Sequence, residues 1–327
     1  MSVGSASPWP VLCIMGPTAV GKSALSLDLA DRLPCDLVSV DSAAVYREMD
    51  LGTAKPSVAE RARHPHALVD VRDPADAYSA ADFRRDALAA MATARAAGRV
   101  PVLVGGTMLY FRVLAQGIAD MPAADPAIRR HFAAREKAEG LPALAAELAE
   151  IDPIAAARID PRNAQRVKRA LEVHAVSGEP ISAFWARQAD GTSALSGYAP
   201  IWLALLPDDR VRLHAIIGQR FNAMLAAGLV DEVRALRARG DLSPDLPSIR
   251  AVGYRQVWAH LEGEYGAEEM REKALAATRQ LARRQLTWLR RWPKAEYIEL
   301  KAGGRPPAAL AAGLGVRLRE LGARALS

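Results

Sequence analysis

Short apolar runs alternate with longer segments of helical periodicity in the first third of the chain. Four runs have the length and continuity of buried strands, at 11–15, 37–40, 68–71 and 100–104. A helical pattern follows the first run, and another begins at Ser79 with Asp82 three residues later, the arrangement of a capping box. Strands that alternate with helices predict a parallel sheet covered by helices on both faces, and hence an α/β fold.

The middle of the chain has a different pattern. Residues 121–191 are rich in alanine and helical in period, and prolines interrupt them. This pattern predicts an all-helical insertion. A core strand then returns at 201–206, and a last short strand is predicted at 297–300. The remaining predicted helices lie at 211–227, 230–238, 251–261 and 268–292, with a closing helix after Pro306.

The composition is typical of a globular protein with a sizeable core. Of the 327 residues, 50% are apolar and 24% are charged, and no apolar run is long enough to span a membrane. Residues 1–5 lack the pattern of a secretory signal. Cys13 and Cys35 are expected to be buried, and two cysteines are too few for a four-thiolate zinc site. These features predict a cytoplasmic protein, and none of them requires more than a monomer.

Basic residues are concentrated in two segments. Lys and Arg exceed Asp and Glu by 43 to 37, a net charge of +6. Residues 271–294 contain eight basic side chains against the single acid Glu272, and residues 158–169 contain five against Asp160. Such patches favour an anionic partner more strongly than the net charge does.

A phosphate-binding loop follows the first predicted strand. The pattern G-x-x-x-x-G-K-[ST] is formed by Gly16, Pro17, Thr18, Ala19, Val20, Gly21, Lys22 and Ser23. Backbone N–H groups of such a P-loop bind phosphate oxygens, Lys22 adds a positive charge, and the Ser23 hydroxyl can ligate Mg²⁺. The context of strand, loop and helix predicts a diphosphate or triphosphate site. The loop alone does not say which phosphate compound is bound.

The predicted elements divide the chain into four parts. Residues 9–118 would form the first part of a P-loop core, and 119–196 the helical insertion. The core would continue at 197–300 with basic C-terminal helices, and 301–327 would be a helical tail.

Two polar residues stand where predicted strands end, which is where ligands bind in parallel sheets. Asp41 could be a carboxylate that holds the water shell of Mg²⁺ or a general base, and its position leaves both open. Thr107 could cap the next helix and also contact a ligand. Arg220 lies in a predicted helix, where an exposed side chain is the simplest interpretation.

The motifs together resemble one family. The sequence closely resembles bacterial tRNA dimethylallyltransferases, also called tRNA isopentenyltransferases, over about residues 9–300. The matching blocks are 16–23, 39–42, 49–56, 77–83, 104–110, 160–170, 246–255 and 278–285. Several blocks are long and contiguous, so the resemblance is specific.

The resemblance implies a prenyl transfer. The family moves a dimethylallyl group from dimethylallyl diphosphate to N6 of the adenine 3′ of the anticodon, position 37 of tRNA. The P-loop would then hold the diphosphate of this donor, not ATP. The family pattern implies Asp41 as the general base, with Thr107, the P-loop and Mg²⁺ stabilising the leaving diphosphate and Arg220 adding to the diphosphate shell.

The same resemblance implies contacts with the anticodon stem-loop. In the first part of the core these are Asp41, Ser42, Ala43, Ala44 and Thr107. In the insertion they are Arg129, Gln165, Arg166, Val167, Lys168 and Arg169. In the later part of the core they are Arg250, Ala251, Val252, Gly253, Tyr254, Arg255, Arg283, Arg284, Gln285, Leu286, Thr287, Trp288, Leu289 and Arg290.

Two other functions fit part of the sequence. A P-loop kinase acting on a nucleotide or small molecule, with Asp41 as the Mg²⁺ carboxylate, would explain the first 120 residues or so but leave the arginine-rich segments without a role. A non-catalytic RNA-binding protein could use the loop to sense a phosphate ligand. It would bind tRNA without forming a covalent product.

Overall fold

In the part of the chain that the structure describes, six parallel strands form one sheet in the order β3-β2-β4-β1-β5-β6. The computed structural model describes residues 7–123, 125–189, 193–301, 303–304 and 306–326. The strands are β1 (Trp9–Met15), β2 (Cys35–Val40), β3 (His66–Ala67), β4 (Val100–Gly105), β5 (Tyr198–Pro207) and β6 (Glu296–Leu300). The predicted parallel α/β fold is therefore confirmed. Residues 1–5, examined above for a secretory signal, lie outside the described part of the chain.

The strand that leads into the P-loop lies inside the sheet. All seven residues of β1 are buried, and the strand pairs with β4 on one side and β5 on the other. Because side chains alternate along a strand, the full burial of β1 requires cover on both faces. The P-loop is thus built on the most enclosed strand of the fold.

Apart from a short helix at 58–63, which was not predicted, the helices on the core begin and end close to the predicted positions. Those before the insertion are α1 (Lys22–Ala30), α2 (Val58–Arg63), α3 (Ala80–Ala96) and α4 (Met108–Gln116). Those after it are α10 (Arg210–Ala226), α11 (Leu229–Ala238), α12 (Tyr254–Leu261), α13 (Ala267–Leu289) and α14 (Ala308–Leu326). The capping box of Ser79 and Asp82 is present at the start of α3, and the predicted closing helix is α14. Leu314 and Leu318 of α14 join the core formed by α1 and one face of the sheet.

The predicted third strand is wrong. Residues 68–71 are not a strand, and the β3 ladder is limited to His66–Ala67. Leu68 and Asp70 have positive φ angles of 63° and 57°, which turn the chain out of the extended conformation. Asp70 accepts hydrogen bonds from the side chains of Lys55 and Arg61. These ionic contacts fix a turn where the apolar residues alone suggested a strand.

The chain forms two compact units. The first contains residues 1–115 and 195–327, and the second contains 116–194. The second unit carries α5 (Pro126–Glu139), α6 (Leu141–Ile151), α7 (Pro153–Arg158), α8 (Ala164–Ser177) and α9 (Ile181–Ala189) around its own apolar core. Residues 190–192 of the predicted insertion lie outside the described residues. Among the described residues, every helix is too short or too polar to span a lipid bilayer.

Candidate active site

The P-loop turns sharply between β1 and α1. Ala19 and Gly21 have positive φ angles of 66° and 106°. At Gly16, an added Cβ would lie 2.8 Å from the Val20 side chain and 3.0 Å from the Leu205 carbonyl oxygen. The loop therefore needs glycine at Gly16 for close packing and at Gly21 for its backbone angles.

Lys22 is the first residue of α1, and its ammonium group folds back onto the loop. Nζ donates hydrogen bonds to the carbonyl oxygens of Gly16 at 2.9 Å and Pro17 at 2.7 Å. Burial lowers the pKa of Lys22 to about 8, the nearby Asp41 carboxylate opposes this change, and Arg220 adds to it. An anion placed beside the ammonium would favour its charged form, so the group suits a phosphate ligand.

Asp41 follows β2, and its side chain shapes the loop around it. Its Oδ1 accepts hydrogen bonds from the backbone N–H groups of Ala43 at 2.8 Å and Ala44 at 3.2 Å. This Asx turn holds the carboxylate in one orientation without using Oδ2. A fixed carboxylate with one oxygen outside these bonds can accept a proton from a correctly placed donor.

Thr107 follows β4 and connects two loops. Its Oγ1 accepts a hydrogen bond from the N–H of Ser42 at 3.0 Å, and its own N–H donates to the Val40 carbonyl oxygen at 3.2 Å. Thr107 thereby fixes the start of the loop that carries Asp41.

Gln285 of α13 connects the P-loop to the end of β4. Its Oε1 accepts a hydrogen bond from the N–H of Thr18, and its Nε2 donates to the carbonyl oxygen of Gly106, both at 3.0 Å. An added Cβ at Gly106 would lie 2.3 Å from Nε2, so glycine is needed for this approach. The resemblance implies that Gln285 contacts tRNA, and in the structure its amide also binds these two loops.

Replacing Gln285 should loosen this part of the site. We expect Gln285→Leu to lower the free energy of unfolding by about 2 kcal/mol, because two largely buried backbone groups would be left without their partners. Urea unfolding measures this difference. Gln280→Leu, at an exposed position on the same helix, is the matched control. Equal stability of the two variants would mean that the Gln285 contacts contribute nothing.

One cavity of about 520 Å³ is lined by Lys22, Asp41, Thr107 and Arg220, and all of its lining residues belong to the first unit. Burial lowers the pKa of Arg220 from its usual value. The helix that carries Arg220 and the basic helix α13 also supply an apolar wall, made of Ile217, Phe221, Met224, Leu281 and Trp288. The cavity therefore combines a carboxylate, hydroxyl groups and an apolar surface with four cationic side chains, those of Lys22, Arg220, Arg250 and Arg284.

The comparisons with known proteins agree on one family. The family model described as IPP transferase matches residues 44–292. The chain belongs to the IPP transferase family. It is 57% identical to a tRNA dimethylallyltransferase of Bordetella petrii over 297 residues, which cover 90% of this chain and 93% of the relative. It is 54% identical to that of Paraburkholderia phymatum over 94% of this chain and 96% of the relative.

A solved structure agrees with the sequence comparisons. The full-length tRNA isopentenylpyrophosphate transferase of Bacillus halodurans is 32% identical, has a TM-score of 0.68, and covers 97% of each chain. The family model begins after the P-loop and Asp41, whereas the likeness to this structure extends over nearly the whole chain.

In this member of the IPP transferase family, the predicted tRNA-contacting residues of the first unit fall into three groups. Those that line the cavity are Asp41, Ser42, Ala43, Thr107, Arg250, Ala251, Val252, Gly253, Arg284, Gln285 and Trp288. Those with exposed side chains outside the cavity are Arg255, Arg283, Thr287 and Arg290. Those with side chains in the core are Ala44, Tyr254, Leu286 and Leu289. Side chains of this last group support the surface and do not form it.

The second unit of this IPP transferase family member carries the remaining predicted contacts. Arg129, Gln165 and Arg166 are exposed, and Lys168 and Arg169 are half-buried. Val167 lies in the core of the unit and supports α8 from within. Lys168 is paired with Glu136, and Arg169 donates a hydrogen bond to the Pro122 carbonyl oxygen.

Sequence reasoning missed most of the apolar wall and several other residues of the cavity. Gly52, Thr53 and Ala54 line it, and so do Pro247 and Thr278. A signal for all five was available, because they lie in the blocks 49–56, 246–255 and 278–285 that carried part of the resemblance. These residues line the cavity only because folding brings distant segments of the chain together. The spacing of residues in the sequence does not reveal such a contact.

Proposed function

We propose that the chain transfers a dimethylallyl group from dimethylallyl diphosphate to N6 of the adenine 3′ of the anticodon in tRNA. The supporting observation is that P-loop Lys22 and the fixed carboxylate of Asp41 line the same cavity, together with an apolar wall. Relatives that are 57% and 54% identical carry the name tRNA dimethylallyltransferase. A donor with a charged diphosphate and an apolar five-carbon tail fits both surfaces.

The reaction needs a base at the adenine amine and positive charge at the leaving diphosphate. The lone pair of the adenine amine is delocalised into the ring, so a base must remove a proton as the new C–N bond forms. Asp41 Oδ2 is the proposed acceptor of that proton. The C1–O bond of the donor breaks at the same time, and its electrons leave with the diphosphate. Lys22, Arg220 and the loop N–H groups stabilise this developing charge.

Mg²⁺ fits the proposed site as a partner of the diphosphate. Among the described residues, no three His, Cys, Asp or Glu side chains are grouped closely enough to hold a metal ion by themselves. Magnesium is commonly held by one or two protein ligands plus phosphate oxygens and water. The hydroxyl of Ser23 is exposed in the first turn of α1 and would be such a ligand. When bound, the ion would supply further positive charge to the leaving group.

Mass analysis of tRNA nucleosides tests the proposal. Purified protein incubated with unmodified tRNA, Mg²⁺ and dimethylallyl diphosphate should yield N6-dimethylallyl adenosine and free diphosphate. ATP should be neither consumed nor required. Phosphorylated product with ATP consumption would instead identify a kinase, and tRNA binding without any covalent product would identify an RNA-binding protein.

Exposed arginines of α13 are proposed to meet RNA phosphates. Arg279 and Arg283 of this helix and Arg290, which follows it directly, are exposed, whereas the apolar residues Leu275, Ala282, Leu286 and Leu289 of the helix are buried. The double variant Arg283→Ala/Arg290→Ala should bind tRNA more weakly. Each lost phosphate contact should also make the plot of log binding constant against log salt concentration less steep. The slope should change by about 0.7 per contact for single-stranded RNA.

A binding series at several salt concentrations measures this slope. Arg319→Ala, an arginine on α14, is the control for loss of charge alone. Titration with dimethylallyl diphosphate should be unchanged in both proteins, which excludes general unfolding. A slope equal to that of the wild type would show that Arg283 and Arg290 are ordinary surface charges.

A further inference from the structure

A carboxylate outside the cavity holds two of the segments that line it. Glu232 lies in the first turn of α11. Its Oε2 accepts hydrogen bonds from the backbone N–H groups of Asp50 at 3.0 Å and Leu51 at 2.9 Å, and its Oε1 accepts from the Tyr254 hydroxyl at 2.5 Å. We call Glu232, Tyr254 and the N–H groups of residues 50–52 the Glu232 latch.

The tyrosine of the latch is enclosed on all sides. Tyr254 has no exposed surface, and its hydroxyl accepts a hydrogen bond from the N–H of Gly52 at 3.1 Å. An added Cβ at Gly52 would lie 2.4 Å from the tyrosine ring. The phenol therefore connects the carboxylate to the 50–52 backbone, and the ring fills the space that glycine leaves.

The segments held by the latch face the substrate cavity. Gly52, Thr53 and Ala54 line it from one segment, and Arg250, Ala251, Val252 and Gly253 line it from the residues just before Tyr254. Neither Glu232 nor Tyr254 is among the residues that line the cavity. Any effect of the latch on the reaction is therefore indirect, through the position of the segments that line the cavity.

A second anchor fixes the far end of the same loop. The side chain of Lys55 is 2% exposed, and its Nζ donates to the Tyr46 carbonyl oxygen and to the carboxylates of Asp50 and Asp70. The loop that begins at Asp41 is thus held in two places. The Glu232 latch holds it at residues 50–52, and the side chain of Lys55 holds its far end. The latch contains no residue of the P-loop, so the wall is the part of the cavity that it supports directly.

The residues that line the cavity differ in their chemistry. Lys22 and Arg220 are cations and suit a diphosphate. Residues 52–54 and 251–253 offer small neutral side chains and backbone groups, which suit the flat face and polar edge of a nucleobase better than a phosphate, and the exposed Arg250 beside them adds a cation. The latch therefore supports the lining residues that suit a base better than a diphosphate.

We propose that Glu232 is a positioning residue for the acceptor adenine, acting through the Gly52–Ala54 and Ala251–Gly253 walls held by Tyr254. This inference rests on the proposed prenyl transfer. A displacement of about 1 Å in a reacting group can slow an enzyme roughly 10²-fold. Loss of the latch should accordingly impair use of tRNA and spare capture of the donor.

Three variants test the latch. Glu232→Ala should lower kcat/KM for tRNA by roughly tenfold or more, with the Kd for dimethylallyl diphosphate in the absence of tRNA within about twofold of wild type. Glu232→Gln should recover much of the loss, because its amide oxygen can still accept from the two backbone N–H groups. Tyr254→Phe should also be impaired, and adding it to Glu232→Ala should cost less than the sum of the separate effects.

Asp231→Ala is the matched control, an exposed acid in the same turn that pairs with Arg234. It should behave like wild type. Wild-type kcat/KM for tRNA in Glu232→Ala would overturn the proposal, and so would a loss of donor affinity in proportion to the loss of activity. Failure of the wild-type protein itself to prenylate tRNA would refute the proposed function instead, which separates the two outcomes.

Discussion

Asp41→Asn is expected to slow prenyl transfer by at least ~10²-fold, the contribution of a well-placed general base. The asparagine oxygen can accept the same N–H groups of Ala43 and Ala44 that Oδ1 of Asp41 accepts. The loop should keep its shape, but a neutral amide does not take up the proton from N6. Binding of dimethylallyl diphosphate and of tRNA should remain close to wild type.

Single-turnover measurements with saturating donor and tRNA isolate the chemical step of this variant. Ser42→Ala, at the neighbouring exposed position, controls for a change in the loop surface. Near-normal turnover of Asp41→Asn would remove Asp41 as the base. Loss of donor binding in step with turnover would instead support the Mg²⁺-carboxylate role that the sequence left open.

Lys22→Met is expected to weaken binding of dimethylallyl diphosphate by roughly 10- to 100-fold, because a hydrogen bond to a charged group contributes about 1.5–3 kcal/mol. The methionine preserves much of the length and apolar volume of the lysine stem. Isothermal titration in the absence of tRNA measures the Kd directly. Unchanged affinity would show that the donor diphosphate does not bind at the P-loop.

The lowered pKa of Lys22 adds a dependence on pH. The free side chain loses its proton as the pH rises through about 8. The diphosphate binds the protonated form better, so affinity should be constant below that pH and fall by up to roughly tenfold per pH unit above it. Proton uptake should accompany binding near pH 8 to 9. The affinity of Lys22→Met for dimethylallyl diphosphate should not fall in this way above pH 8. If it does fall, a group other than Lys22 is the one that titrates.

Periodicity was sufficient for most of the fold because the apolar spacing of this chain matches its burial. The core strands and the basic helix α13 were predicted within a few residues of their true ends. The error at 68–71 arose because the turn is fixed by ion pairs of Asp70 with Lys55 and Arg61. The start of α12 was misplaced because Gly253, with φ of 95°, lies just before Tyr254, the first residue of the helix.

The site was only partly predictable for a related reason. Lys22 belongs to a local motif, and Asp41 and Thr107 end strands, so sequence pattern could find them. Gln285 is 267 residues from Thr18, and Glu232 is 182 residues from Asp50. Contacts over such separations leave no trace in local spacing, so these supporting roles required the folded structure.

The position of β1 between β4 and β5 has a consequence for synthesis on the ribosome. β1 ends at Met15, but its neighbour β5 begins only at Tyr198, after the whole second unit has been made. Until then the nascent chain carries an entirely apolar strand with one unpaired edge, the kind of surface that recruits chaperones or other unfinished chains. The hazard of aggregation is therefore greatest before translation is complete, and slowing elongation through the second unit would prolong it.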